Sequence, residues 1–312
     1  MGFAYSIGFF LARMGYRPLF VVARGDRLAV ERLRRLGDVV EAAMPRRAGE
    51  PLGRTLPRWP LALVDSLRLP RCRVFVSTGS NHSVLPALVS RLRGALLLNL
   101  ESIDRFTVPA KAVRILRPFS AATLVHWPEQ RRLYPDAVVT GPVYEPPRYK
   151  PRDEGYVLVT AGTMGFRGLF DAVERLGLRR VVLQTGRVDP EPYQKRNPGW
   201  IVFDFDPDFH RWLAGASIVV TQFPGSTAAT AALAYRKPVV MVVNPGLPLA
   251  ASIADAVYYA QRLRAILLPR ASPSLLRRGL DLAEKLEPPS YPNGGETIAR
   301  IAVSLAEGRH RL

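Results

Sequence analysis

A β-branched run that stops abruptly in small residues constrains this chain most. In VLVTAGTMGF, residues 157–166, the apolar stretch ends at Thr160-Ala161-Gly162-Thr163, and an amphipathic segment follows over 169–176. A short continuous apolar run bounded by a turn signal reads as a buried strand, so the segment predicts strand, tight loop, helix. Backbone N–H groups at that helix N-terminus, with the positive end of its dipole, suit the loop to hold a phosphate. The competing reading is an ordinary turn whose glycine supplies a positive φ. What favours the first is that the same layout occurs twice in one chain.

In the first half, a helix over 5–14 leads to a strand at 18–23, and a helix over 27–36 to a short strand near Val39-Val40. A Pro- and Arg-rich stretch, 44–59, is expected as a surface loop. Strands follow at 73–77, 95–100, 121–125 and 138–139, with a helix over 80–92. Prolines and charges cluster at 141–155, which predicts the domain boundary. The second half alternates again, with strands at 157–160, 181–184, 200–203, 218–221 and 239–243 and helices between them. A last amphipathic helix over 297–307 follows Pro-Pro and Gly-Gly and is expected to reach back onto the first domain. Alternation of this kind gives an α/β fold: two doubly wound, Rossmann-like parallel-sheet domains, 1–145 and 146–312, with ligands at the carboxyl ends of the strands. Two domains facing a cleft fit a two-domain glycosyltransferase, a dinucleotide enzyme or a sugar-binding protein alike. No G-x-G-x-x-G follows any strand, which counts against a nicotinamide or flavin cofactor.

At 312 residues the chain has room for two cores, and 48% hydrophobic content excludes disorder. No apolar run is long enough to span a bilayer, and no secretory leader pattern opens the chain, so a cytosolic protein is expected. A lone Cys72 leaves no intrachain disulfide. Of the net charge of +18, residues 1–150 hold 24 Lys and Arg against 11 Asp and Glu, or +13, leaving +5 for the remainder. That basic half suits an anionic membrane or a phosphorylated lipid, or is simply solvated surface. Nucleic acid is the weaker partner, because few aromatics cluster at strand positions to stack bases. Asp204-Phe205-Asp206 has D-x-D spacing but follows a strand in the second domain, so no metal site is expected. His82 and His126 read either as bases or as hydrogen-bonded structural residues.

Three segments of the first half, VSTGSNHSVLPAL (76–88), NLESIDRF (99–106) and LVHWPEQ (124–130), resemble a known protein. It is the membrane-recruiting, acceptor-binding subunit of the enzyme that adds the second N-acetylglucosamine to a polyprenyl-diphosphate-linked sugar. In the second half, VTAGTMGFRGL (159–169), LQTG (183–186) and VTQFPGSTAATAALAYRKPVVMVVNP (220–245) resemble that enzyme's catalytic, nucleotide-sugar-binding subunit. The bacterial enzyme that completes the lipid-linked disaccharide of peptidoglycan is a more distant relative. The resemblance implies a fused, GT-B-type, inverting transferase without cofactor, peripheral on the cytosolic face of the cell membrane. It would move N-acetylglucosamine from its uridine diphosphate form onto a polyprenyl-diphosphate-linked sugar in N-glycan or cell-surface glycan assembly.

For the donor, the resemblance implies Gly162, Thr163, Phe166, Gln184, Gly186, Gln222, Gly225, Ser226, Thr227 and Asn244. Their competing role is to cap helices and turns. For the acceptor it implies Gly79, Ser80, Glu101, Ser102 and Arg105, with Arg105 a planar fork for phosphate or the ion-pair partner of Glu101. The catalytic candidates are Glu101 and His82. Two departures stand out. Ala231 occupies the place where the family has an acidic residue for a ribose, and Leu249-Ala250-Ala251-Ser252 replaces a polar Asn-His-Gln run. The chain also opens inside a helix, at Gly2-Phe3-Ala4-Tyr5, where relatives first have a strand and a Gly-Gly-His loop bearing the base. The first strand is therefore expected upstream of Met1, or the domain is shortened. The alternative function is a sugar-nucleotide or lipid-phosphate binding relative with weak or no turnover.

Overall fold

The computed structural model describes residues 1–45, 55, 58–247 and 251–309. The chain forms two compact units, Met1–Glu145 with Pro292–Leu312, and Pro146–Tyr291.

In the first unit α1 (Gly2–Arg13) leads into β1 (Leu19–Ala23), and α2 (Arg27–Arg34) into β2 (Asp38–Ala42). Asp26 caps α2, its Oδ1 accepting from Ala29 N at 3.1 Å, as the capping preference of Asp predicts. β1 and β2 pair in parallel from Leu19↔Asp38 to Ala23↔Ala42. Next come α3 (Trp59–Leu67), β3 (Val74–Ser77), α4 (Val84–Leu92), β4 (Leu96–Leu100), α5 (Lys111–Leu116), β5 (Ala122–Val125) and β6 (Val138–Val139). The last four strands form a parallel sheet in the order β3-β4-β5-β6, separate from the β1-β2 pair. Most of the stretch 46–57, expected as a loop, lies outside the described residues.

The second unit runs β7 (Val157–Thr160), α6 (Arg167–Glu174), β8 (Val181–Gln184), α7 (Glu191–Arg196), β9 (Ile201–Phe203), α8 (His210–Gly215) and β10 (Ile218–Phe223). It continues through α9 (Thr227–Ala229), a π turn (Thr230–Ala234), β11 (Val239–Val243), α10 (Ile253–Leu263), β12 (Ile266–Leu268) and α11 (Pro273–Ala283). Its parallel sheet has the order β12-β11-β10-β7-β8-β9. The first strand thus sits centrally and the winding reverses between β7 and β10, which creates a switch point there. Val159, Leu183, Val220 and Val240 of the strands meet Phe170 and Val173 of α6 and Leu276 and Leu280 of α11 in one core. Each such side chain contributes about 1.5–3 kcal/mol on full burial, so the near-continuous apolar runs hold the sheet's centre.

The last helix, α12 (Gly294–Ala306), belongs to the first unit. Ile298, Ala302 and Leu305 share a core with Ile7 of α1 and Leu98, Leu100 and Leu124 of the sheet. Asn293 caps it and also donates through Nδ2 to the Tyr144 carbonyl at 2.7 Å, while Gly294 N donates to the Pro142 carbonyl at 2.9 Å. Residues 292–312 thus pack with the first unit. The apolar stripe of α12 finds its complement on α1.

Candidate functional site

At the switch point of the second unit, the carboxyl ends of β7, β8, β10 and β11 bring most of the expected donor residues onto one rim. A chain of polar contacts ties these ends together. Thr160 Oγ1 donates to Gln184 Oε1 at 3.1 Å, Gln222 Nε2 to the Ala161 carbonyl at 2.8 Å, and Asn244 Nδ2 to Gln222 Oε1 at 2.6 Å. Asn244 Oδ1 in turn accepts from Gly246 N at 2.9 Å. Gln184, Gln222 and Asn244 are thereby fixed as spacers between strand ends. A ligand laid across the rim meets a rigid floor.

Above this floor the short 3₁₀ turn Gly162–Met164 leaves Thr163 exposed. Gly162 has φ 62°, and nothing lies within 4 Å of where a Cβ would stand, so its freedom is needed for the turn and the space over it is open. Gly186 is the opposite case. A Cβ there would come within 2.4 Å of the Gly162 carbonyl oxygen and 2.6 Å of that of Thr163, because the two backbones touch. Arg187 N donates to the Thr163 carbonyl at 3.0 Å, which fastens the turn to the end of β8. Across the switch point, Gly225, exposed Ser226 and Thr227 form the start of α9. Phe166 lies apart, packed on the unit's core at the start of α6. Sequence reading misses Arg187, an exposed residue whose backbone N–H holds the glycine turn; its signal was its place directly after Gly186. Ala231 is fully buried in the π turn, and Ser252 serves as the N-cap of α10 with Asp255. Asp206 of the D-x-D run is taken up by Trp212 Nε1 at 2.7 Å, Asp208 N at 2.8 Å and Arg211 at 2.8 Å.

In the first unit the three expected segments converge behind β3, β4 and β5. Gly79 and Ser80 follow β3, and His82 pairs its Nδ1 with Ser80 Oγ at 2.6 Å. Glu101 follows β4 but is fully buried. Its carboxylate accepts from Ser102 N at 2.7 Å, Ala110 N at 3.0 Å and Tyr134 Oη at 2.7 Å. Gln130 folds the loop after Glu101 by donating through Nε2 to the carbonyls of Ser102 at 2.8 Å and Arg105 at 2.7 Å. Ser102 Oγ is held by Asp104 at 2.6 Å, and half-buried Arg105 reaches the Val108 carbonyl at 3.3 Å. The geometry makes Glu101 a buried anchor for the loop that bears Ser102 and Arg105.

His126 completes this network. Val143 N donates to its Nδ1 at 3.0 Å, so the ring proton is on Nε2, which donates to the Glu101 carbonyl at 2.9 Å. Burial lowers its pKa to about 4, against about 6.5 for an unfolded chain. The unfolded state therefore takes a proton that the folded state refuses. The stability His126 lends is present above pH ~6.5 and drains away as pH falls toward 4. Glu101, which burial pushes up, works in the opposite sense by protonating first in the folded state. Replacing His126 with Gln, which keeps one donor and one acceptor but does not titrate, isolates the first effect. Urea unfolding at pH 7 and pH 5 is expected to show the wild type losing about 2 kcal/mol more than His126→Gln over that interval. Parallel losses would assign the acid sensitivity elsewhere.

No family model matches the chain, and no curated protein matches it in sequence. Solved structures match it over nearly its whole length. MurG from Acinetobacter baumannii is similar with a TM-score of 0.63 over 97% of this chain and 95% of that one, at 14% identity. The glycosyltransferase SnogD from Streptomyces nogalater gives 0.66 over 98% and 96%, at 17% identity. A putative UDP-N-acetylglucosamine 2-epimerase from Listeria monocytogenes gives 0.66 over 99% and 95%, at 14% identity. The likeness establishes the fold, two Rossmann-like domains of the GT-B type. Fold at such identities does not carry a reaction.

Proposed function

We propose that this protein is an inverting glycosyltransferase that moves a sugar, N-acetylglucosamine from its uridine diphosphate form, onto a polyprenyl-diphosphate-linked sugar at the cytosolic face of a membrane. The observation that carries this reading is the switch-point rim of the second unit. Two glycine- and hydroxyl-bearing turns, at Gly162-Thr163 and Gly225-Ser226-Thr227, flank one reversal of winding, with exposed Arg187 beside the first. In the reaction the acceptor oxygen bonds to the anomeric carbon as the bond to the diphosphate breaks, and the diphosphate takes the electron pair. Backbone N–H groups, hydroxyls and Arg187 at the rim answer that developing charge without a metal. Glu101 is too fully engaged to take the acceptor proton. His82, which burial keeps neutral and which pairs through Nδ1 with Ser80 Oγ, is the remaining candidate for the base.

Membrane contact is supported by α3. Trp59, Leu61, Leu63, Val64 and Leu67 are exposed on it, Leu92 of the adjoining α4 is 85% exposed, and Arg68, Arg71 and Arg91, on or just after these helices, are exposed as well. No helix among the described residues is long and apolar enough to cross a membrane, so this face would lie on the surface.

The test joins binding and turnover. UDP-N-acetylglucosamine at a hundred times its Kd stabilises by about 2.7 kcal/mol, a rise of about 5 °C or more in Tm. Transfer from it to a short-chain polyprenyl-diphosphate sugar should follow, and Leu61→Asp with Leu67→Asp should release the protein from anionic vesicles. A thermal shift without transfer would favour the binding-only reading, for which the buried Ala231 is the supporting observation. No shift with any sugar nucleotide would overturn the proposal.

A further inference from the structure

His82 lies in the hydroxyl-rich connection from β3 to α4, Ser77 to Ser83, where the direction of each side-chain hydrogen bond is determined. Ser80 stands in extended backbone, φ −88° and ψ 147°, ahead of a 3₁₀ turn over Asn81–Ser83. Its carbonyl is fastened twice, by Ser83 N at 3.0 Å and by Ser83 Oγ at 2.6 Å. Ser83 has thereby given its own proton away, so Ser77 Oγ donates to Ser83 Oγ at 2.9 Å. On the other side Gly79 has φ 79°, and a Cβ there would come within 2.9 Å of the Leu100 carbonyl oxygen. The backbone of Ser80 is held from both directions.

One ring nitrogen of His82 is hydrogen-bonded to the Val21 carbonyl in β1. A carbonyl only accepts, so the ring proton lies on that nitrogen. It is Nε2, because Nδ1 faces Ser80 Oγ at 2.6 Å. Nδ1 therefore carries a lone pair, and the Ser80 hydroxyl donates to it. Burial and the Met1 amino group both favour this neutral imidazole. With both nitrogens engaged, the ring cannot take a proton from an acceptor hydroxyl directly. Ser80 Oγ is placed differently. It gives its proton to His82 and accepts from no donor among the described residues, and both side chains line a cavity of about 720 Å³.

We propose that Ser80 is a catalytic residue, the carrier of the proton between the acceptor hydroxyl and His82. The assignment rests on the sugar-transfer reading and turns Ser80 from a binding contact into part of the chemistry. As the acceptor oxygen bonds to the anomeric carbon, its proton passes to Ser80 Oγ while the Ser80 proton passes to His82 Nδ1. Ser80 ends as it began, a neutral hydroxyl, and the departing diphosphate keeps the electron pair of the broken bond. His82 ends as an imidazolium still bonded to Val21, its charge favoured by Asp26, and returns the proton to water after turnover. A base that is itself oriented by a third group is the arrangement that activates a hydroxyl.

The experiment compares Ser80→Ala, His82→Ala, the double variant and Ser80→Thr in the full chain, with transfer from UDP-N-acetylglucosamine to a short-chain polyprenyl-diphosphate sugar as the readout. Because Ser80 is held through its carbonyl, removing the hydroxyl leaves the turn in place. Ser80→Ala and His82→Ala are each expected to lower kcat about a hundredfold, the scale of a lost proton transfer, with KM for both substrates within about twofold. Residues that act as one unit do not add, so the double variant should be no slower than either single one. Ser80→Thr, which keeps the hydroxyl, should retain most of the activity. Loss in His82→Ala with full activity in Ser80→Ala would overturn the proposal and leave the sugar-transfer reading standing. So would an effect of Ser80→Ala confined to KM, or additive losses in the double variant. A wild type that transfers no sugar would overturn both.

Discussion

Gly186→Val is expected to weaken nucleotide-sugar binding about a hundredfold or more, an effect of the size that an ~1 Å misplacement in a site produces. The added side chain would meet the carbonyl oxygens of Gly162 and Thr163 at 2.4 and 2.6 Å. These are backbone atoms and cannot swing away, so the glycine turn itself must move. The φ of 61° adds a second cost, since a β-branched residue there pays about 1–2 kcal/mol or more. Gly162→Ala is the informative companion. It shares the positive φ, 62°, but faces open space, so it should bear only the conformational cost and bind within about tenfold of wild type. Calorimetric titration with UDP-N-acetylglucosamine, with circular dichroism to confirm the fold, separates the two. Normal binding by Gly186→Val would show that the contact between the turn and β8 has no part in the site.

Glu101→Ala is expected to lower stability by about 3–5 kcal/mol, because it strands three donors, Ser102 N, Ala110 N and Tyr134 Oη, in the interior. Glu101→Gln keeps acceptor capacity on one oxygen and should cost less. A general base behaves differently, losing about 10² to 10⁴ in rate at unchanged stability. Thermal melts beside transfer rates for both variants therefore decide between an anchor and a base. A Glu101→Gln protein with native melting and abolished turnover would restore the catalytic assignment.

What could be read from the residues alone follows from how local each signal was. Strands β7, β8, β10 and β11 are buried on both faces, so their apolar runs announced themselves to within a residue or two. β12 was not individually foreseen: it is a short edge strand that starts just after Arg264, a left-handed helix end that no glycine marks. The separation of the β1-β2 pair from the other four strands is likewise a matter of pairing, and pairing is not written in either strand. That glycines and hydroxyls end the strands of the switch-point rim was legible; that the rim holds a sugar nucleotide is the proposal. The role of Glu101 was not legible. Its partners Ala110 and Tyr134 lie 9 and 33 residues further on, and nothing in ESIDR distinguishes a carboxylate aimed at solvent from one aimed inward.

The return of α12 to the first unit makes the chain's connectivity asymmetric. The second unit is an insertion within the first, entered after Glu145 and left before Pro292. Excision of 146–291 would therefore remove a complete piece with both of its ends at one boundary. A fragment ending at 145 is not its mirror image: it lacks Ile298, Ala302 and Leu305, and so exposes Leu98, Leu100 and Leu124 along the flank that α12 covers. Any measurement meant to give the basic half its own properties, membrane affinity above all, needs residues 1–145 and 292–312 together, spliced or as two pieces that find each other through α1 and α12.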